Sequence, residues 1–346
     1  MVACIRFWGW IAVAALSAFL QARADDDPRL TQDWPSVEAV SEIKGQDVQW
    51  ISGSPFSPLD IGKGPEREPQ ATALGTLFMP PGEHRVRSVP AVVTLHGSGG
   101  VLAARELTYG QQLASMGIAV LVIDSFRARR ELGTSYLERV LNITETMMVE
   151  DAYSALRYLS TIPDIDPRHV ALVGFSYGAM ATTYALYDQM AQTLSPDGLK
   201  FAGHVAFYGP CIARYENSKT TGAPLLMLYG KQDELMNSER CAEIADDLRK
   251  GGSDVEIVAY DKAVHQWDGG FGQRLIGRQL AECSFTVKPD GTIHDNSLGF
   301  DMTNSSWRKV SLAYCTSGPG YPIGRDDVIR EKSNRDFGRF LAKVLY

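Results

Sequence analysis

The 346-residue sequence is short of the residues that build metal centres. It has five cysteines and six histidines, with no C-x-x-C and no H-E-x-x-H spacing, so no metal ligand set stands out. It has no G-x-G-x-x-G and no G-x-x-x-x-G-K-[ST], which removes both common phosphate-cradling loops. Positive charge is scarce. Lys and Arg number 34 against 41 Asp and Glu, a net charge of −7, so there is no electrostatic reason to bind nucleic acid or anionic membranes. No internal repeat is evident. The longest apolar run, residues 7–20, is too short for a comfortable membrane span and is not followed by a stop-transfer pattern.

That run reads instead as an export signal. Arg6 precedes it, Ala22-Arg-Ala24 forms an A-x-A cleavage site, and a polar stretch begins at Asp25. Cys4 lies far upstream of the cut, so there is no lipobox, and no twin arginine is present. Cleavage after Ala24 leaves 322 residues and takes the net charge from −7 to −9, because residues 1–24 hold two arginines and no acids. The expectation is a periplasmic or secreted chain without stable membrane anchoring. Cys211, Cys241, Cys283 and Cys315 remain. Four cysteines in an oxidising compartment permit three pairings, of which Cys211–Cys241 with Cys283–Cys315 is preferred.

Residues 25–70, rich in Pro, Gly and charge, read as a loosely structured arm. Beyond it, apolar runs at 71–79, 89–95, 118–123, 169–173, 201–207, 224–229 and 254–260 alternate with helix-compatible stretches at 102–116, 146–160, 179–194, 237–250 and 327–341. Near-continuous apolar strands separated by helices mean a mostly parallel sheet covered on both faces, the α/β class. Residues 268–326, rich in Gly, Ser, Asn and aromatics, form an insertion before the last helix. It is either a roof over the site or a surface decoration.

The chemistry centres on Gly174-Phe-Ser-Tyr-Gly178, which follows the strand His169-Val-Ala-Leu-Val173 and precedes a helix. Alone, G-x-S-x-G is also an ordinary glycine-rich turn. In this context it is a nucleophile elbow, where Ser176 takes a strained angle and the Tyr177 N–H, at a helix N-terminus, can stabilise an oxyanion. A serine hydroxyl needs a base, and the base needs an orienting acid. Asp233 follows the strand at 224–229, with Glu234 as the fallback, and His265 lies in the loop after the strand at 254–260. His169 and His204 belong to strands and read as structural, and His84 and His294 lack this placement. The loop His96-Gly-Ser-Gly-Gly100 follows the strand at 89–95. Its Ser98 N–H is the first choice for a second oxyanion donor, and the Gly97 N–H the second. Arg127, Arg129 and Arg130 read as a solvated basic loop, the alternative being a site for a substrate carboxylate.

The segments Val93-Thr-Leu-His-Gly-Ser-Gly-Gly100, Val122-Ile-Asp-Ser-Phe126, Asp151-Ala-Tyr-Ser-Ala-Leu156, Val173-Gly-Phe-Ser-Tyr-Gly-Ala-Met180 and Tyr229-Gly-Lys-Gln-Asp233 resemble the dienelactone hydrolase family. The resemblance covers residues 70–267 and implies an α/β-hydrolase fold. It gives Ser176, Asp233 and His265 the roles of nucleophile, acid and base, with the Ser98 and Tyr177 amides as oxyanion hole. Family members proper are cytosolic, use a cysteine where this chain has Ser176, and carry a glutamate where it has Gly97. What carries over is cleavage of an ester-like bond in a small molecule by an acyl-serine route, with no metal or organic cofactor. The same constellation serves peptidases and acyltransferases, and a binding protein on this fold is a further alternative. The sequence carries no signature of oligomeric state.

Overall fold

The computed structural model describes residues 28–82, 88–277, 279–316 and 320–346. The expected export segment, residues 1–24, and His84 lie outside the described residues.

The main sheet is built from β1 (Gln46–Gly53), β2 (Gln70–Phe78), β3 (Val89–Leu95), β4 (Ala119–Ile123), β5 (Ile165–Phe175), β6 (Gly203–Phe207), β8 (Leu225–Gly230) and β9 (Val255–Tyr260), while the short β7 (Ala213–Tyr215) stands apart from it. The eight strands lie in the order β1-β2-β4-β3-β5-β6-β8-β9. β2 is antiparallel to both of its neighbours, and every pair from β4 to β9 is parallel.

Side-chain alternation sorts the apolar strands onto two cores. Ala91, Val93 and Leu95 of β3 and Ala119, Leu121 and Ile123 of β4 face one core, with Met147, Met148 and Ala152 of the helix Glu145–Ser160. Val92, Val120 and Val122 face the other, with Leu113 of the helix Thr108–Ser115 and Phe337 and Leu341 of the helix Asp327–Leu345. A central strand buried on both faces has no polar side to spare, which is why β3 and β4 are nearly all aliphatic. Each of the larger side chains among them contributes about 1.5–3 kcal/mol on burial.

Strand order reverses between β3 and β5. The chain moves from β3 to β4 on one side and then to β5 on the other. In an open parallel sheet a ligand crevice opens outside the strand C-termini at such a switch point. The loops that leave β3 and β5 there are His96–Gly100 and the Ser176 turn.

Three sequence expectations are revised. Within the segment read as a loose arm, Gln46–Gly53 forms a full edge strand, with Gln46 opposite Leu77 and Gly53 opposite Gln70. Trp50 anchors it, donating to Ser154 Oγ at 2.9 Å and stacking on Tyr158. The helix expected at 179–194 is two helices, Tyr177–Tyr184 and Asp188–Leu194. Arg129 is neither solvated nor free for a substrate. It is fully buried and grips both oxygens of Asp151 at 2.7 Å. Arg127 and Arg130 are exposed as expected.

Residues 268–326 are tied down at several points. β10 (Arg274–Ile276) pairs with β13 (Tyr321–Ile323), β11 (Phe285–Val287) pairs with both β12 (Ile293–Asp295) and β7, and the helix Ser305–Cys315 follows. Disulfides join Cys211 to Cys241 and Cys283 to Cys315, the preferred pairing. Among the described residues no helix is long and apolar enough to cross a membrane.

Candidate active site

Ser176 stands at the end of β5 with φ 52° and ψ −108°. A non-glycine residue adopts such a backbone only under constraint, and the constraint is visible. A Cβ at Gly174 would collide with the Gly178 carbonyl, and one at Gly178 with the carbonyls of Leu95 and His96. Both flanking positions must therefore be glycine for strand and helix to close on one another. The Ser176 N–H donates to Phe207 O at 2.9 Å, and Ser176 O accepts from Ala179 and Met180 as the next helix begins. Ser176 itself is only partly buried.

Asp233 and His265 reach the serine from the ends of β8 and β9. Asp233 Oδ1 accepts from the Leu235 N–H at 3.0 Å, and Oδ2 lies 2.7 Å from His265 Nδ1. His265 Nε2 lies 2.8 Å from Ser176 Oγ. Since Asp233 can only accept, Nδ1–H donates to it, and Nε2 is left as the acceptor for the serine hydroxyl. Asp233 and His265 are 4% and 2% exposed, so the pair is shielded from competing water. The two loops are stitched together by Gln232 N–H donating to Ala263 O at 3.0 Å.

His265 is also held from the insertion side, through its backbone and its ring. His265 N–H donates to Pro322 O at 3.2 Å, and His265 O accepts from Gly324 N–H at 3.0 Å. Rings of Tyr208 and Tyr321 meet it edge-on, at 4.8 and 5.4 Å between centroids.

The loop after β3 lies against the serine. A Cβ on Gly97 would fall 3.5 Å from Ser176 Cβ and 3.3 Å from Phe175 O and from Arg105 Nη2. The Gly97 carbonyl is held by His96 Nδ1 at 2.8 Å and by Gly100 N–H at 3.0 Å. Peptide planarity then turns the Ser98 N–H to the opposite side. The Ser98 hydroxyl accepts from Tyr136 OH at 3.3 Å. Tyr177 N–H, at the first residue of its helix, has no intrahelical acceptor.

Several residues around the site carry no sequence signal. Arg105 and Glu106 form a buried pair inside an apolar stretch that reads as plain helix. Arg105 Nη1 reaches Tyr208 OH at 3.4 Å, and Tyr208 OH donates to Asp268 at 2.5 Å. Burial holds the Asp268 carboxyl above its ordinary range, against the pull of Arg105. Tyr208, at φ 42°, is thus fixed beneath His265. On the other side, Arg308 of the insertion reaches Tyr177 and Glu145. Only the placement of Tyr208-Gly-Pro210 at a strand end hints at this arrangement in the sequence.

A sheet of this order, with a serine on the sharp turn after β5 and an acid and a histidine after the last two strands, defines an α/β-hydrolase. The family model of the dienelactone hydrolase family matches residues 75–270. That is more than half of the sequence, and the chain belongs to this family. Dipeptidyl peptidase family member 1 of Caenorhabditis elegans is 21% identical over 234 residues, 58% of this chain and 28% of that protein. The chain thus spans less than a third of that relative's length. Among solved structures, a dienelactone hydrolase-like promiscuous phosphotriesterase from metagenomic libraries is 15% identical with a TM-score of 0.49, covering 87% of this chain and 100% of that one. A propionate-bound esterase of Thermogutta terrifontis is 14% identical with a TM-score of 0.43, covering 56% of this chain and 79% of its own.

Proposed function

We propose that the chain is an exported serine hydrolase that cleaves a carboxylic ester of small or medium size. The observation that carries this reading is the continuous path from Asp233 through His265 to Ser176, at 2.7 and 2.8 Å. His265 Nε2 takes the Ser176 proton as Oγ attacks the ester carbonyl. The Tyr177 and Ser98 N–H groups receive the oxyanion. His265 then returns its proton to the leaving alcohol, and Asp233 stabilises the imidazolium in between. Water, activated by His265, attacks the acyl-serine and releases the acid. Each oxyanion donor is worth roughly a hundred- to a thousandfold in kcat.

Export rests on the expected leader at residues 1–24 and on the two disulfides, which persist in oxidising compartments. We read the mature chain as an N-terminal arm, residues 25–70, and a hydrolase domain, 71–346, with 268–326 inserted. A peptidase reading draws on the relative named a dipeptidyl peptidase family member, because the same three residues can open an amide. The partial exposure of Ser176 favours catalysis over a binding role.

The test is hydrolysis of p-nitrophenyl acetate, butyrate and octanoate, and of a dipeptide anilide panel, by the mature protein and Ser176→Ala. The expected result is ester turnover that falls at least roughly a thousandfold in the variant. Undiminished ester turnover by Ser176→Ala would refute the acyl-serine route, and anilides cleaved faster than esters would favour the peptidase.

A further inference from the structure

Arg308 lies in the insertion, 132 residues after Ser176 in sequence, yet its guanidinium ends beside the serine's neighbour. Its helix, Ser305–Cys315, is fixed at both ends. Asn304 caps the start by accepting from the Ser306 and Trp307 N–H groups, and Cys315 is bonded to Cys283 at the finish. The outer face of the helix carries Trp307, Val310 and Tyr314, and the inner face carries Arg308. Leu312 and Cys315 pack the inner face against the main core, and a charge buried on that face needs partners of its own.

The guanidinium makes three contacts. Nε donates to Val140 O at 3.1 Å, and Nη2 donates to Glu145 Oε1 at 3.0 Å and to Tyr177 OH at 3.1 Å. Tyr177 OH in turn donates to Ile143 O at 2.8 Å. The tyrosine oxygen is therefore saturated: its proton goes to Ile143 and a lone pair takes Arg308. Remove the arginine and Glu145, a buried carboxylate beside the same hydroxyl, competes with Ile143 for that proton. A cavity of about 30 Å³, lined among others by Glu145, Met180, Tyr184 and Arg308, adjoins the guanidinium and its carboxylate partner.

Under the acyl-serine reading, on which this inference rests, Tyr177 supplies an oxyanion N–H. We propose that Arg308 is a positioning residue for that donor. It pins the Tyr177 side chain, and with it the first peptide of the helix after the serine. The insertion then completes the oxyanion site and is not a detachable cover.

The experiment measures kcat and KM for p-nitrophenyl butyrate, with thermal melts as fold control, for five variants. They are Arg308→Met, Arg308→Lys, Tyr177→Phe, Arg308→Met with Glu145→Gln, and Arg308→Met with Tyr177→Phe. A donor misplaced by a fraction of an ångström costs roughly ten- to a hundredfold. Arg308→Met is expected to lose that much kcat with KM changed less than about threefold, since only the transition state loses a partner. Arg308→Lys, a point charge without the fork, is expected to recover part of it. Tyr177→Phe should match Arg308→Met, and the two together should cost no more than either alone, the signature of one shared interaction.

The variant with Glu145→Gln removes the uncompensated charge, so it tests the idea even where Arg308→Met folds poorly. Low kcat in a stable double variant supports positioning. Recovery of kcat along with the melting temperature would show that Arg308 only balances Glu145, and would overturn the proposal. So would near-normal kcat in all Arg308 variants. A parallel Ser176→Ala that keeps its activity would refute the hydrolase reading itself, so the two failures are told apart.

Discussion

The edge of the parallel sheet and the segment at 268–326 border the same serine but are built by different means. At the sheet edge the main chain does the placing. Strand register lines up the ends of β5, β6, β8 and β9 along one edge, and glycines at 174 and 178 allow the backbones to touch. In the insertion, side chains and cross-links do it. Strands of three residues, a disulfide, and the Arg308 contacts hold a segment with little core of its own. Backbone placement tolerates almost no change and leaves a readable motif. Side-chain placement tolerates more and leaves none.

The sharpest way to break that contrast is Gly178→Ala. The added methyl meets the backbone carbonyls of Leu95 and His96, and neither belongs to a flexible side chain that can yield. We expect the variant to fail to accumulate as folded protein, or to lose about 4 kcal/mol or more in urea unfolding, at the severe end of single substitutions. Normal stability would mean that the sheet edge is more pliant than its contacts suggest. A smaller effect is expected from Cys283→Ser with Cys315→Ser. The loop it opens has a sequence separation of 32, worth about 2–4 kcal/mol. The sheet should stay folded by circular dichroism, and kcat should fall with KM retained as the Arg308 helix loosens. Equal losses in kcat and in sheet signal would refute the separation of the two regions.

The same contrast explains what was legible in the sequence. That Ser176, Asp233 and His265 meet is legible because each follows a buried strand, and a strand announces itself by an uninterrupted apolar run. Four cysteines allow three pairings, and the preferred one is the one that forms. The strand Gln46–Gly53 was not legible. It is an edge strand with an exposed face, so Gln46, Asp47 and Gln49 dilute the apolar pattern, and although Trp50 reads as an isolated anchor, its partners Ser154 and Tyr158 lie over a hundred residues away. Arg129 was misread because a buried bidentate pair looks, in sequence, like three basic residues in a loop. Arg308 was invisible for the same reason. Its partners Val140, Glu145 and Tyr177 lie far off in the chain, and no local spacing encodes such a meeting.

The finest distinction between the two regions is electrostatic. Glu150, in the core helix, is pushed by burial from 4.5 to about 7, with Arg157 opposing. Its contribution to stability is full below pH 4.5 and is lost as pH rises to about 7, because the folded state holds the proton longer. His204, buried in β6 with Nδ1 bonded to Thr182 O, is pushed by burial from 6.5 down to about 4. Its contribution is present above pH 6.5 and is lost as pH falls to about 4. The two slopes oppose each other between pH 4.5 and 6.5. Glu150→Gln should therefore leave stability that climbs with pH across this window, and His204→Asn stability that declines. Each difference from the parent should be on the order of 1–2 kcal/mol. The Cys283 and Cys315 double variant should lower the whole curve without tilting it, because Glu150 on the helix Glu145–Ser160 and His204 on β6 both lie outside the insertion. Urea unfolding at half-unit pH steps reads all three curves, and a tilt in the cysteine variant would show that the insertion shares the electrostatics of the core.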